Sequence, residues 1–442
     1  MRPAPLILGA LLLLGHLAAN AQDATPVTRD ATPVTRAAGS VIKVDNPPTL
    51  LSQQAKHYVI LVSLDGFRYD YAAKYGAPHL SQMALAGAST PTGMLPSYPS
   101  VTFPNHYTLV TGLRPEHHGI VAMEFYDPDR KARYYYADSK FNGDGTWYSG
   151  TPLWVLAEQQ GMRSACFFWP GSEAEIQDVR PSYYLHFDDK YDDEKRIAQV
   201  TDWLKLPAAE RPHFITLYYS NVDHAGHSFG PDAPETRDAV HHLDAIIGKL
   251  RTEIKATGLP IDLIVTADHG MIKTDPTPVI LDKLTNLDHF KNEGSLLYGE
   301  TEADAQKAYD ELKAHPDPRF TVYRRLEMPT GLTYDMSARE GDPVVVPNAP
   351  YYVSVHPPTK KLNAGGHGFD PHKTPEMKAI FYAEGPDIRP GTRLPSFDNI
   401  DVYPFVATLL GLKMPPIDGE LAPLAPALRA RRVIRPRHRV RR

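Results

Sequence analysis

The stretch YVILVSLDG, residues 58–66, is a continuous, mainly apolar run that leads directly into an acid and a glycine. A run without polar alternation predicts a strand buried on both faces, as in a parallel sheet covered by helices. Residues 214–219 and 261–266 have the same character. Between them, residues 234–257 carry apolar side chains at helical spacing, with proline at the start and Gly258 just past the end. We therefore predict an α/β fold with a mostly parallel central sheet and helices on both faces.

Each of the three predicted strands leads to an acid. Ligands of open α/β sheets bind outside the carboxyl ends of the strands, so these acids should meet at one edge. Carboxylates brought together repel one another unless they are protonated or neutralised by cations, and imidazoles among them favour zinc over magnesium or calcium. His367, in the glycine-flanked loop 363–370, adds a further imidazole. The candidate metal ligands that follow the three strands are Asp65, Asp223, His227, Asp268 and His269.

A candidate nucleophile lies in SYPSVTFPNH, residues 97–106, which has no clear period. The next residues, 107–112, are typical of the opening of a short helix. Free N–H groups at a helix start bind anions, so a hydroxyl placed there could attack phosphorus while those groups bind its oxygen. Thr102 is the best candidate, although from the residues alone Ser100 is nearly as good.

Several motifs, in order along residues 58–424, resemble those of the nucleotide pyrophosphatase/phosphodiesterase family in the alkaline phosphatase superfamily. The resemblance implies an alkaline phosphatase-like fold and a two-zinc hydrolase. It does not extend to the duplicated DATPVTR near the start or to the arginine-rich end. The motifs are LDGFR (64–68), SYPSVTFPNHYTLVTGLRPEHHGIV (97–121), VDHAGH (222–227), ADHGM (267–271) and GGHGFDP (365–371).

The resemblance also implies which residues bind the two Zn²⁺ ions. The ligands of one zinc would be Asp223, His227 and His367. The ligands of the other would be Asp65, Asp268 and His269, with Thr102 beside it as both ligand and nucleophile. In this scheme the zinc ions activate the threonine, stabilise the leaving oxygen and neutralise charge on the phosphoryl group.

Three further positions concern the substrate. By the same resemblance, Phe103 and Tyr218 would flank a nucleobase. Met123 occupies the position where the family usually has an asparagine that helps to hold a phosphate oxygen. A thioether cannot donate a hydrogen bond, so this position is the main departure from the family. The sequence therefore leaves open how the chain holds that oxygen.

The predicted function is zinc-dependent hydrolysis of phosphodiester or phosphoanhydride bonds, with nucleotides as the expected substrates. The reaction would release a nucleoside 5'-monophosphate through a threonyl-phosphate intermediate. Alternatives are a phosphomonoesterase or lipid head-group phosphodiesterase on the same scaffold, or a zinc-binding protein without catalysis. A monoesterase usually needs an arginine or a third metal at the site, and the motifs contain only Arg68 and Arg114. A sulfatase is disfavoured because the nucleophile motif holds threonine and the single cysteine, Cys166, lies elsewhere and is predicted to be inert core.

The remaining sequence predicts export and a flexible periphery. A formal charge of −5 on 442 residues gives no global field toward nucleic acid or membrane, and the oligomeric state stays open. The basic end predicts a solvated tail, with weak contact to anionic surfaces as the alternative. The histidine pairs 117–118 and 241–242 are expected on solvated faces. The predicted segments are a signal peptide of a periplasmic or secreted protein (1–21), a flexible tether (22–55), a catalytic domain (56–424) with an inserted subdomain (281–357), and a disordered basic tail (425–442).

Overall fold

The computed structural model describes residues 39–429. Its α-helices, in chain order, are α1 (Tyr71–Tyr75), α2 (Pro78–Ala86), α3 (Thr102–Thr111), α4 (Pro115–His118), α5 (Ser139–Asn142), α6 (Leu153–Gln159), α7 (Asp193–Leu204), α8 (Asn221–Phe229), α9 (Pro234–Thr257), α10 (Glu302–Ala314) and α11 (Val402–Leu410). Its strands are β1 (Ile42–Lys43), β2 (Tyr58–Leu64), β3 (Ala88–Ser89), β4 (Glu124–Asp127), β5 (Ala132–Tyr135), β6 (Ser164–Phe167), β7 (Tyr183–Leu185), β8 (Phe214–Tyr219), β9 (Ile261–Thr266), β10 (Ile272–Lys273), β11 (Val279–Ile280), β12 (Phe290–Glu293), β13 (Leu296–Gly299), β14 (Phe320–Tyr323), β15 (Val344–Pro347), β16 (Val353–Ser354), β17 (Gly365–Gly366), β18 (Phe381–Glu384) and β19 (Thr392–Arg393).

The central sheet has the strand order β1-β7-β6-β8-β2-β9-β18-β3-β19. The five strands from β7 to β9 in this order run parallel to their neighbours, whereas β1 and β18 are antiparallel to theirs. Every residue of β2, β8 and β9 is buried, as expected for parallel strands covered on both faces. The predicted α/β class is therefore confirmed, and the three predicted strands have the bounds read from the sequence.

The pairing of β2 with β8 and with β9 brings the carboxyl ends of these three strands together. β2 lies between β8 and β9, with Leu64 opposite Tyr219 and Ser63 opposite Thr266. The chain crosses from β8 to β9 through α9, which ends where Gly258 adopts a φ of 67°. Such a crossover keeps the strands parallel, so all three carboxyl ends open at the same edge.

The inserted residues form a small hydrophobic core of their own. The helix α10 begins with a capping box in which Thr301 and Asp304 bond each other's backbone N–H groups. The antiparallel pair β14–β15 lies beside this helix. The buried residues of this second core are Val279, Leu281, Leu297, Tyr309, Leu312, Phe320, Val322, Val345 and Val355.

The predicted boundaries of the tether and the tail are wrong where the structure describes them. Ile42 pairs with Tyr184 at the edge of the central sheet, and the Arg163 guanidinium donates to the Asn46 carbonyl at 2.7 Å. At the other end, Ala427 is buried and the Arg429 N–H donates to the Asp387 carbonyl. Residues 42–55 and 425–429 are therefore bonded to the catalytic domain. The predicted signal peptide, the DATPVTR repeats and the tail from residue 430 lie outside the described residues.

Among the residues described, none of the helices combines the length and the apolar character that a membrane span requires.

Candidate active site

Asp65 follows β2 and is almost completely buried. The Tyr218 hydroxyl, from β8, donates to Asp65 Oδ2 at 2.5 Å. Asp65 Oδ1 has no hydrogen-bond partner in the described part of the chain. Since burying an unpaired carboxylate oxygen is unfavourable, Oδ1 is suited to a cation.

Asp268 follows β9, and it too has one carboxylate oxygen that accepts a hydrogen bond and one that accepts none from the residues described. The Gly66 N–H donates to Asp268 Oδ1 at 3.2 Å, whereas Oδ2 has no hydrogen bond among residues 39–429. His269 Nε2 lies 2.9 Å from this Oδ2 without hydrogen-bond geometry, and 3.6 Å from Asp65 Oδ1. Asp65 Oδ1, Asp268 Oδ2 and His269 Nε2 thus lie close together without forming hydrogen bonds to one another, as ligands of a shared ion do.

Asp223 and His227 lie on α8, where a separation of four residues places them on one helical face. His367, from the loop after β17, lies beside them, so that three ligand atoms meet. The distances are 3.4 Å from Asp223 Oδ1 to His227 Nε2, 3.6 Å from the same oxygen to His367 Nε2, and 3.0 Å between the two Nε2 atoms. Gly66 permits this approach, because a Cβ there would lie 2.9 Å from the Asp223 Cα.

The main chain sets the tautomers of the three imidazoles. Nδ1 of His227 lies 2.9 Å from the Gly365 carbonyl, Nδ1 of His367 2.9 Å from the Ser100 carbonyl, and Nδ1 of His269 3.0 Å from the Gly270 carbonyl. A carbonyl oxygen only accepts, so a ring that carries a single proton at any of these three positions has it on Nδ1 and presents a lone pair on Nε2. Two such lone pairs facing each other at 3.0 Å are satisfied by a cation between them.

These residues fit zinc. Zinc–nitrogen and zinc–oxygen bonds of about 2.0–2.1 Å in a tetrahedron place neighbouring ligand atoms roughly 3.3 Å apart. The ligand atoms here are separated by 2.9–3.6 Å. His269 lies close to both groups: its donor atom is within 4.8 Å of those of Asp223 and His367, and also of those of Asp65 and Asp268. The two groups therefore adjoin. The contact of 2.9 Å between His269 Nε2 and Asp268 Oδ2 favours placing His269 in the group of Asp65 and Asp268.

The pKa shifts in the site indicate that its carboxylates need nearby positive charge to be ionised. Burial, together with Asp268 and Asp223, raises the pKa of Asp65 well above its usual value. Burial also opposes ionisation of Asp268, but His269 and His106 outweigh it and hold the pKa of Asp268 below the usual value. Burial and the neighbouring His269 and His227 lower the pKa of His367 well below normal, so this ring is a neutral ligand. Dications would stabilise the ionised form of every carboxylate in the group.

Thr102 is the first residue of α3, which begins five residues earlier than the sequence predicts. Val101 is the extended N-cap, and Pro104 is accommodated in the first turn, where its missing N–H is not needed. Thr102 Oγ1 lies 3.3 Å from His269 Nε2. Ser100 differs, because its hydroxyl donates to the Phe369 carbonyl at 2.8 Å and accepts from the Gly368 N–H. The geometry therefore favours Thr102 over Ser100 as the reactive hydroxyl.

Met123 reaches the same helix end. The Phe103 N–H, from the first turn of α3, donates to Met123 Sδ at 3.3 Å. The thioether thus accepts a hydrogen bond at a place where a phosphoryl oxygen would compete for the same N–H group. It adds no donor of its own.

Phe103 and Tyr218 each belong to an aromatic pair. The half-buried Phe103 ring lies 5.4 Å from Tyr136, and the Tyr218 ring lies 5.9 Å from Phe187, which is 48% exposed. Tyr218 is itself buried, and its hydroxyl is bonded to Asp65. Phe187 is a residue that sequence reasoning missed, because its proximity to Tyr218 depends on the fold alone.

His106 is a second residue that sequence reasoning missed. It is fully buried beneath the site, with Nδ1 2.9 Å from the Thr102 carbonyl and 3.4 Å from Asp268 Oδ2. Nε2 lies 2.8 Å from the Ser63 hydroxyl. The ring therefore connects β2, α3 and the Asp268 loop. Its place within SYPSVTFPNH was the only available signal.

The motif arginines are engaged elsewhere. Arg68 bonds both oxygens of Asp70 and the Met271 carbonyl, and Arg114 bonds Asp398.

Cys166 is buried, as predicted, and burial raises the pKa of its thiol.

One prediction about the histidine pairs is wrong. His118 is fully buried: it lies 3.0 Å from the Thr108 hydroxyl, and burial lowers its pKa to about 3. His117, His241 and His242 are exposed, as predicted.

Known proteins are similar to this chain in sequence and in fold. The family model for type I phosphodiesterase/nucleotide pyrophosphatase matches residues 59–370. An uncharacterized pyrophosphatase/phosphodiesterase of Schizosaccharomyces pombe is 33% identical over 395 residues, which cover 84% of this chain and 81% of that protein. Ectonucleotide pyrophosphatase/phosphodiesterase family member 1 of Mus musculus is 34% identical over 397 residues, which cover 85% of this chain and 42% of that protein.

Solved structures agree. Murine ectonucleotide pyrophosphatase/phosphodiesterase 5 has a TM-score of 0.79 and 30% identity, with 84% of this chain and 100% of that chain covered. An inactive threonine-to-alanine variant of the same murine protein, in complex with AMP, also has a TM-score of 0.79 at 30% identity, with 85% and 100% covered. The fold and the ligand set define a metal-dependent hydrolase of the alkaline phosphatase superfamily. Within it, the chain belongs to the type I phosphodiesterase/nucleotide pyrophosphatase family and is an enzyme of that class.

Proposed function

We propose that the protein hydrolyses nucleotide phosphodiester or phosphoanhydride bonds with two zinc ions, and releases a nucleoside 5'-monophosphate. The observation that carries this proposal is the position of Thr102. This residue is the first of α3, and its hydroxyl oxygen lies 3.3 Å from Nε2 of the candidate ligand His269. A protein that only binds metal needs no hydroxyl at such a point. The inactive threonine-to-alanine murine relative, in complex with AMP, supports both the nucleophile and the nucleotide.

The residues divide into two sets of ligands. Two zinc ions, when bound, would supply the positive charge that activates the threonine alcohol and neutralises the phosphoryl group. One would be held by Asp65, Asp268 and His269 beside Thr102. The other would be held by Asp223, His227 and His367. The unpaired carboxylate oxygens and the Nε2 lone pairs of these residues support the assignment.

The reaction would proceed by two successive displacements at phosphorus, the first by Thr102 and the second by water. The Thr102 hydroxyl gives its proton to solvent as Oγ1 attacks phosphorus, the P–O bond to the leaving group breaks, and the leaving oxygen takes a proton from solvent. The first-turn N–H groups of Thr102 and Phe103 bind a phosphoryl oxygen at the positive end of α3. Water then attacks the threonyl phosphate and restores the hydroxyl. Tyr218 and His106 hold Asp65 and the Thr102 main chain in place throughout.

We propose that the nucleobase lies between the aromatic pairs of Phe103 and Tyr218. The exposed Phe187 ring offers an additional apolar surface on the Tyr218 side. Flat aromatic faces accept any base, so this arrangement predicts a nucleotide preference without strict base selectivity.

A phosphomonoesterase or a lipid head-group phosphodiesterase is the alternative on the same scaffold. A monoester carries one more negative charge, and the two motif arginines that could bind it are bonded to Asp70 and Asp398. This pairing favours a diester.

The test is to assay the zinc-loaded protein on a nitrophenyl nucleotide diester, a nitrophenyl monophosphate and glycerophosphocholine. We expect the nucleotide diester to be hydrolysed fastest. Faster turnover of the monophosphate or of glycerophosphocholine would replace the proposal by the corresponding alternative, and no turnover of any substrate by a two-zinc protein would favour metal binding without catalysis.

Export to the periplasm or medium, by cleavage after residue 21, is a further proposal. It is supported by relatives whose names mark them as ectonucleotide enzymes and venom phosphodiesterases. Contact of the arginine-rich end with anionic surfaces is proposed on its charge alone.

A further inference from the structure

A cavity of about 240 Å³ lies beside the candidate metal centre. One wall comes from the loops around the catalytic residues, and the other comes from the inserted residues. The apolar part of its lining includes Val101, Met123, Leu296, Val345, Tyr352 and Val353. The cavity is therefore a mainly apolar space between the catalytic loops and the inserted residues.

The cavity opens at one particular side of the site. His367 and Gly368 line it, and His367 belongs to the ligand group of Asp223 and His227. Thr102 Oγ1 instead contacts His269, in the other ligand group. In phosphoryl transfer the attacking and leaving oxygens are roughly in line, on opposite sides of phosphorus. A leaving group displaced by Thr102 would thus depart toward His367 and the cavity.

Two carboxylates give the cavity a negative wall. Glu124 and Glu293 both line it, and the hairpin turn at Gly294 comes close enough that a Cβ there would lie 3.4 Å from Glu124 Oε1. Arg133 bridges the two acids, at 2.7 Å from Glu124 and 2.6 Å from Glu293. This guanidinium is half-exposed and is not part of the cavity wall. Two acids and one arginine leave a net negative charge beside the space.

We propose that this cavity receives the leaving half of the substrate, and that Glu124 and Glu293 select an organic alcohol without negative charge over pyrophosphate. In the reaction, the Thr102 hydroxyl gives its proton to water, the bond from Oγ1 to phosphorus forms and the P–O bond to the alcohol breaks. The electron pair of the broken bond stays on the alcohol oxygen, which takes a proton from water. This inference rests on the phosphodiesterase activity proposed above and specifies its substrate class.

The charge test compares three substrates that share thymidine 5'-phosphate and differ in the leaving group: p-nitrophenol, choline and pyrophosphate. Removing one partly exposed charge by Glu293→Gln should raise kcat/KM for the triphosphate, and lower it for the choline ester, each by about fivefold. The uncharged p-nitrophenyl ester should change by less than about twofold. Glu124→Gln should act in the same directions. The matched control is Glu300→Gln, since Glu300 is exposed just beyond the same hairpin and does not line the cavity.

A steric test is independent of charge. Ser295 is half-buried in the cavity wall, so Ser295→Trp should lower kcat/KM for the p-nitrophenyl ester by about tenfold or more but spare a methyl ester of thymidine 5'-phosphate. Zinc content, measured for each variant, should stay that of the wild type.

The outcomes separate the two proposals. If the zinc-loaded wild type hydrolyses no diester, the proposed function fails. If it hydrolyses the p-nitrophenyl ester but the glutamate variants change all three substrates by equal factors, and Ser295→Trp affects both esters alike, the leaving group lies elsewhere and only this inference is overturned.

Discussion

Met123 provides the sharpest test of how the chain holds phosphate. We predict that Met123→Asn raises kcat on a nucleotide diester. The thioether accepts a hydrogen bond from the Phe103 N–H and donates none. An asparagine would offer its amide N–H₂ to the phosphoryl oxygen, while its carbonyl could still accept from Phe103.

The magnitude follows from the surroundings of that donor. Removing one preorganised oxyanion donor typically lowers turnover by about 10²- to 10³-fold. In this site the charge would be shared with two cations and with the first-turn N–H groups of α3, so the gain should be smaller. We expect about a tenfold increase, equivalent to about 1.4 kcal/mol of transition-state stabilisation.

The assay is steady-state hydrolysis of a p-nitrophenyl nucleotide diester, with zinc content and thermal stability measured in parallel. Met123→Leu is the matched control, because leucine frees the Phe103 N–H without adding a donor. Equal gains in both variants would attribute the effect to the released N–H group. An unchanged or lower rate in a folded, two-zinc Met123→Asn protein would refute the reasoning and show that the phosphate is held in another way.

Three other predictions concern the nucleophile, the metals and a buried acid. Thr102→Ala should keep both zinc ions but lose about 10³-fold or more in turnover; rapid hydrolysis by this variant would move the nucleophile to Ser100 or to water. Asp223→Ala and Asp268→Ala should each lower the zinc content from two toward one, and metal analysis that still finds two in both would reject the ligand assignment. Burial raises the pKa of Glu340 to about 9, so the folded protein holds a proton that the unfolded chain loses near pH 4.5 and stability falls as pH rises between these values. Glu340→Gln should therefore raise Tm at pH 8 but not at pH 4; a gain of equal size at both would contradict the shift.

The parts of the site that were predictable are those encoded by runs of residue types. The strands that precede Asp65 and Asp268 have the apolar character expected of strands buried on both faces, and each acid follows its strand within two residues. The start of α3 was misplaced, because Pro104 reads as a helix breaker although it is favourable within a first turn. The strand β1 has only two residues, too few to show a period.

Other features depend on contacts between distant segments. His106 bonds to Ser63, and His118 is buried by the packing of α3 against α4; neither environment is visible in local sequence. The cavity beside His367 likewise combines residues before α3 with residues of the insertion. No periodicity connects such segments, so only the assembled fold reveals them.

The orientation of the ligand imidazoles by main-chain carbonyls affects how the protein can diverge. Amino-acid substitution can delete a carboxylate or an amide that orients a histidine, but every residue retains its carbonyl oxygen. The acceptors at Ser100, Gly270 and Gly365 are thus shielded from mutational loss as long as the backbone keeps its path. Selection then has to preserve the loops' shape more than their side chains. The side chains around the site can then change while the tautomers of the three ligand imidazoles stay the same.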